Sequence, residues 1–150
     1  MITQKMKYAL KALLVLADEA ARPVPEGLTI EEIARRAGTP KRFLEHIQLE
    51  VRNAGVIASI RGRSGGYILI KRPAEVSISE LLRTIDGPIA PLPCLSRRAY
   101  QRCEDCTDEA TCRIRKVFAE VFWSYILILD SLTLDDMMKS TAVTEQVIGA

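Results

Sequence analysis

Residues 28–47 read Leu28-Thr-Ile-Glu-Glu-Ile-Ala-Arg-Arg-Ala-Gly-Thr-Pro-Lys-Arg-Phe-Leu-Glu-His-Ile47. Two amphipathic segments meet here at Gly38-Thr-Pro40. Thr29, with Glu32 three residues later, has the spacing of a capping box, and Gly38 supplies a stop. A second helix is predicted from Lys41 to about Ala54, ended by Gly55. Its apolar face holds Phe43, Leu44, Ile47 and Val51. Two helices joined by a tight glycine-containing turn describe a helix-turn-helix.

The flanking segments extend this unit. Upstream, Tyr8, Ala9, Ala12, Leu13, Leu16 and Ala20 recur at helical steps between Met1 and about Ala21, with Thr3 as N-cap. Lys7 and Lys11 interrupt the apolar run, so the segment reads as an amphipathic helix and not a signal peptide. Arg22-Pro-Val-Pro-Glu-Gly27 breaks it. Downstream, Val56–Ile60 and Tyr67–Ile70 read as two strands around Arg61-Gly-Arg-Ser-Gly-Gly66. The glycines permit a hairpin tip, and the arginines make it cationic. The fold class is therefore mainly α with a small β-hairpin wing: a winged helix-turn-helix.

A short helix follows over Val76–Ile85, capped by Ser77 or Ser79. Pro88, Pro91 and Pro93 then stiffen the connection onward. The last long helix runs from about Cys112 to Ser131. Ile114, Phe118, Val121, Tyr125, Ile128 and Leu132 form a heptad seam on it, beside a second apolar face of Val117, Phe122, Ile126 and Leu129. A helix apolar over so much of its circumference buries two faces, one on its own domain and one on a partner helix. It is expected to be a dimerisation helix. Residues 133–150 have weak pattern and suggest a short helix and a tail. The organisation expected is a DNA-binding domain over 1–87, a cysteine-bearing sensor loop over 88–112, and a dimerisation helix and tail over 113–150.

The 150 residues carry a net charge of +2, but the charge is segregated. Residues 1–73 hold 13 Lys and Arg against 7 Asp and Glu, and residues 74–150 hold 8 against 12. A basic first half is the electrostatic footprint of a nucleic-acid-binding module. No apolar run approaches a membrane span, so no membrane association and a cytoplasmic location are expected. With one histidine, no phosphate loop and no visible nucleophile–base pair, the chain is not expected to be an enzyme.

A recognition helix enters the major groove N-terminus first, which places Thr39, Pro40, Lys41 and Arg42 nearest the DNA. Thr29, at the preceding helix start, is positioned for a phosphate. Arg61, Arg63 and Ser64 on the hairpin are expected to hold the backbone or enter a minor groove. His46 reads as a surface or packing residue.

Four cysteines, Cys94, Cys103, Cys106 and Cys112, fall within nineteen residues as C-x8-C-x2-C-x5-C, and there are no others. A four-thiolate structural zinc, an iron–sulfur cluster and a bare thiol switch all fit such a group. Arg97, Arg98, Arg102, Arg113 and Arg115 surround it and are expected to favour thiolates. The site's charge does not separate the three, and spacing alone puts zinc slightly ahead.

Tyr8–Ala17, Thr29–Ala34, Phe43–Ile47, Asn53–Val56, Arg61–Tyr67 and Ile85-Asp-Gly87 together resemble, in order and spacing, the Rrf2 family of bacterial transcription regulators, which includes the IscR and NsrR types. The resemblance spans about residues 1–135. It implies a homodimeric winged helix, a long crossed dimer helix and, in many members, a 2Fe–2S or 4Fe–4S cluster; other members sense metabolites or partner enzymes. It therefore favours an iron–sulfur cluster, 2Fe–2S foremost, over zinc. Cluster-binding members have three evenly spaced cysteines, and Cys106-x5-Cys112 resembles their closing pair. The IscR type adds a histidine where this chain has Arg115, and the NsrR type an aspartate where it has Lys7. The fourth ligand here is then a cysteine, or one cysteine is spare. The function expected is a homodimeric DNA-binding repressor on a near-palindromic operator, set by the state of the four cysteines. The alternative is a zinc-stabilised winged-helix module that docks a protein partner.

Overall fold

The computed structural model describes residues 2–140. Six helices and one hairpin follow in order: α1 (Gln4–Ala20), α2 (Ile30–Ala37), α3 (Lys41–Asn53), β1 (Ile57–Ile60), β2 (Gly66–Leu69), α4 (Ile78–Ile85), α5 (Arg113–Ser131) and α6 (Leu134–Lys139). The predicted tail beyond residue 140 lies outside the described residues.

Punctuation in the sequence sets the helix ends. Thr3, Thr29 and Ser77 each accept a hydrogen bond from the backbone N–H three residues on, which satisfies one of the orphan donors of a first turn. Gly38 closes α2 at φ 59° in the left-handed region, where a side chain would be strained. The predicted capping box at Thr29 is only half formed. The Glu32 carboxylate turns instead to Arg35 at 2.7 Å and Arg36 at 2.7 Å, because charged guanidiniums on the next turn outcompete a neutral N–H.

The core lies where α1 packs against α2, α3, α4, α6 and β2. Met6, Ala9, Leu13 and Leu16 of α1 meet Ile33 of α2, and Leu44, Ile47 and Val51 of α3. Phe43, expected in this face, stays 41% exposed. It sits at the rim with its ring 5.5 Å from that of Tyr8.

The β1–β2 hairpin is antiparallel, with Ile57 opposite Leu69 and Ile60 opposite Gly66. The sequence did not predict a third short pairing that clamps it to the α1–α2 connection. Leu28 N–H donates to Tyr67 O at 3.0 Å, and Tyr67 N–H donates to Leu28 O at 2.7 Å. Gly66 makes this possible. Its φ is +143°, and a Cβ there would stand 2.5 Å from the Leu28 carbonyl.

Helix α5 packs on α4 through Phe122, Ile126 and Leu129, all buried. Val117, assigned to the same face, is 61% exposed, since five residues before Phe122 it is turned about 140° around the helix from it. A backbone clasp secures the far end: Ile78 N–H donates to Leu132 O at 3.0 Å, and Leu134 N–H to Val76 O at 3.0 Å. Leu134 is fully buried, so α6 returns the chain to the winged-helix core. The seam side chains Ile114, Val121 and Ile128 stand 62%, 65% and 64% exposed. Among the described residues no helix is long and apolar enough to cross a membrane.

Candidate functional site

Helix α3 begins immediately after the α2–α3 turn, and its first residues are on the surface. Pro40, Lys41 and Arg42 are exposed, as are Arg61, Arg63 and Ser64 at the hairpin tip. Thr29 is exposed too. Its hydroxyl oxygen accepts from Glu32 N–H at 3.2 Å, and the hydroxyl also hydrogen-bonds the Glu31 carboxylate. Thr39 is buried at 7% exposure, and its hydroxyl has no hydrogen-bond partner. His46 is exposed.

The cations differ in how committed they are. Lys41 pairs with Glu31 and reaches Glu45 at 3.9 Å; the Glu31 hydrogen bond raises its pKa. Arg35 and Arg36 are occupied by Glu32, whose carboxyl their hydrogen bonds hold down to about 2. Arg42 stacks its guanidinium 5.0 Å from the Phe43 ring centre. Among the described residues Arg42, Arg61 and Arg63 have no carboxylate partner. Of the residues expected at the DNA, these three are the cations free to neutralise phosphates.

A buried carboxylate that sequence reading missed braces this surface. Glu19 is 2% exposed and accepts from Arg36 at 2.8 Å, Arg22 at 3.0 Å and the Glu26 N–H at 3.3 Å. Burial alone would raise its pKa, but the hydrogen bonds from Arg36 and Arg22 outweigh that and lower it. One side chain thereby ties α1, α2 and the loop between them. The only signal in the sequence was its place on the apolar side of α1.

The cysteine segment is irregular and held by its own polar contacts. Arg102 donates to the carbonyls of Cys106 and Thr107, each at 3.0 Å. The Tyr100 hydroxyl donates to Glu109 at 2.6 Å. Cys94 is buried, and the other three cysteines are half-buried. Cys103 lies against the core beside Cys94; burial and then a hydrogen bond with Cys94 raise its thiol pKa. Cys112 caps α5, its Sγ accepting from Arg115 N–H at 3.4 Å.

Cys103 is not held as a thiolate by the arginines expected to favour one, and four of those five have other contacts. Arg97 stacks on Trp123, Arg98 pairs with Glu80, Arg102 binds carbonyls and Arg115 faces Glu109. The donor chemistry suits a soft metal or a cluster. The geometry brings Cys94 and Cys103 together. Among the described residues no three Cys, His, Asp or Glu side chains converge as metal ligands.

A helix-turn-helix with an arginine-tipped wing, clasped to a long helix with an exposed apolar seam, defines a winged-helix transcription regulator. The chain belongs to the Rrf2 family: the family model described as "Iron-dependent Transcriptional regulator" matches residues 2–140. It is 78% identical over 140 residues to an rrf2-like HTH-type transcriptional regulator of Rhodobacter capsulatus, covering 93% of each chain. It is 30% identical over 141 residues to the HTH-type transcriptional regulator NsrR of Geobacillus kaustophilus, covering 94% of this chain and 91% of that one. The solved structure of CymR, called the global cysteine regulator of B. subtilis, superposes with a TM-score of 0.74 at 28% identity. The match covers 94% of this chain and 98% of that one. The family and these relatives are transcription regulators, not enzymes.

Proposed function

We propose that the protein is a homodimeric repressor whose grip on a near-palindromic operator is set by the state of its cysteine segment. The observation that carries this reading is positional. The four cysteines run from Cys94, buried against the core, to Cys112, the cap of α5. A change there acts on the joint between the DNA-reading unit and the exposed seam.

Pro40, Lys41 and Arg42 would meet the major groove, with Thr29 on a phosphate. Thr39 would support the turn from within. Arg61, Arg63 and Ser64 would follow the adjacent backbone or minor groove. Pairing of two α5 helices along Ile114, Phe118, Val121, Tyr125, Ile128 and Leu132 would fix the spacing of the recognition helices. Half-sites would then lie about one helical turn, roughly 34 Å, or a multiple of it apart.

The thiols of Cys94, Cys103, Cys106 and Cys112 supply the soft donors an iron–sulfur cluster takes, and the iron dependence in the family description supports that choice over zinc. Such a centre would supply sensitivity to oxidants or iron supply. Cys94 and Cys112 would anchor it to the core and to α5. Arg102 would order the Cys106 backbone between them. Anaerobic purification with a visible spectrum and iron, sulfide and zinc analysis tests the assignment. A coloured protein with iron and sulfide is expected, and a colourless one with a zinc per chain refutes it.

A further inference from the structure

Between α4, the segment before and after Cys94, and α5 lies a cavity of about 400 Å³, within the range of small-ligand sites, roughly 300–1,000 Å³. No cysteine, no seam residue and none of the expected DNA contacts lines it. α5 lines it with Phe122, Trp123, Ile126 and Asp130, about a third of a turn away from the seam. Dimerisation along the seam therefore leaves it uncovered.

The charges around the cavity are unequally matched. The Arg83 side chain, 18% exposed, bridges Glu80 at 2.9 Å and Asp130 at 3.2 Å. Arg98 adds a second cation to Glu80 at 3.1 Å. Arg97 is the exception. Its guanidinium lies 4.1 Å from the Trp123 ring centre, and among the described residues no carboxylate pairs with it. Three arginines face two carboxylates, so the cavity has one positive charge in excess. Stacking holds that guanidinium flat, which leaves its N–H edge open to a planar anion.

We propose that this cavity binds a small organic monocarboxylate, its carboxylate on the Arg97 guanidinium and its apolar body against Trp123 and Ile89. The half-buried Trp123 and Ile89 argue for a carbon skeleton, since an inorganic anion would leave them wet, while Phe122 and Ile126 back them from the core. Bound there, the ligand touches α4, the cysteine-bearing segment and α5 at once, and its presence would stiffen their packing.

Trp123 is the only tryptophan of the chain, so its fluorescence reports from the cavity wall. The full chain is titrated with 3-phenylpropionate and with butyrate, and with 3-phenylpropionamide and inorganic phosphate as comparisons. A saturable change with the carboxylates is expected, with none from the amide. Binding should be about tenfold or more weaker in Arg97→Gln, the loss expected for one charge-assisted contact. Arg97 is exposed, so this variant should keep the parent's melting temperature. Backbone NMR shifts at Arg97 and Phe122 provide a readout independent of the indole. The proposal is overturned by no saturable response to either carboxylate, an equal response to the amide, or unchanged binding in Arg97→Gln. A response to phosphate as strong as that to the carboxylates also overturns it, in favour of a simple anion site. None of these outcomes bears on operator binding or on the cysteines.

Discussion

Replacing Ile128 by glutamate should break the dimer without unfolding the protomer. Ile128 is the fifth of the six seam positions, in the last turn of α5, and is 64% exposed in the single chain. Burying the rest of such a side chain is worth about 1–2 kcal/mol. A two-fold interface carries every substitution twice, so lost burial alone removes about 2–4 kcal/mol. A carboxylate buried in the seam adds its desolvation cost. Since 1.4 kcal/mol is a tenfold change, dimer Kd should rise by at least about a hundredfold. Sedimentation velocity over a range of protein concentrations measures this, with thermal melting at low concentration as the check on folding. Glutamate is a good helix former, so α5 should persist. Val24→Glu provides the comparison: Val24 is 73% exposed but lies in the α1–α2 connection, off the seam, and should leave Kd unchanged. A folded Ile128→Glu protein with the parent's dimer Kd would refute the seam as the dimer interface.

The free and engaged cations should behave differently on DNA. Arg63→Ala should weaken operator binding about tenfold and reduce the salt slope by about one, read by fluorescence anisotropy across salt concentrations. Lys41→Ala should cost less, because Glu31 and Glu45 already offset its charge; equal losses would contradict that distinction. Gly66→Ala should detach the wing from Leu28, lowering the melting temperature and DNA affinity together, because both the positive φ and the 2.5 Å approach exclude a Cβ. Glu19→Gln should cost about 1–3 kcal/mol at neutral pH, the scale of hydrogen bonds to a charged group. Glu19 has a lowered folded pKa, so its contribution is present above the ordinary carboxylate range and fades as pH falls through it toward the folded value. Melting curves of parent and variant should therefore converge in acid, and a constant gap would contradict the ion-pair account.

Local chemistry made most of the fold legible. Thr3, Thr29 and Gly38 mark helix ends through bonds a few residues long, and the apolar period of α5 announced the face that packs on α4. What the sequence concealed depends on distant partners. Phe43 has the spacing of a core residue, but its position at the rim is set by Tyr8 on another helix. Leu28 pairs with Tyr67 across the hairpin, and Glu19 becomes buried only because arginines from α2 and the loop reach it. The exposed positions of Arg42, Arg61 and Arg63 could be read from the motif. Their freedom from carboxylates, and Lys41's lack of it, could not. The cysteines were visible as a group, but their side-chain geometry depends on an irregular segment with no periodicity to read.

The central claim is that the state of the cysteine segment controls DNA binding. Its most direct test is the operator affinity of one anaerobic preparation, measured before and after its inorganic centre is removed by oxidation and chelation, with the thiols then re-reduced. The account predicts a change in Kd of about tenfold or more, the scale of a coupling free energy of 1–3 kcal/mol, with the dimer intact in both states. An operator affinity that is the same with and without the centre would contradict it.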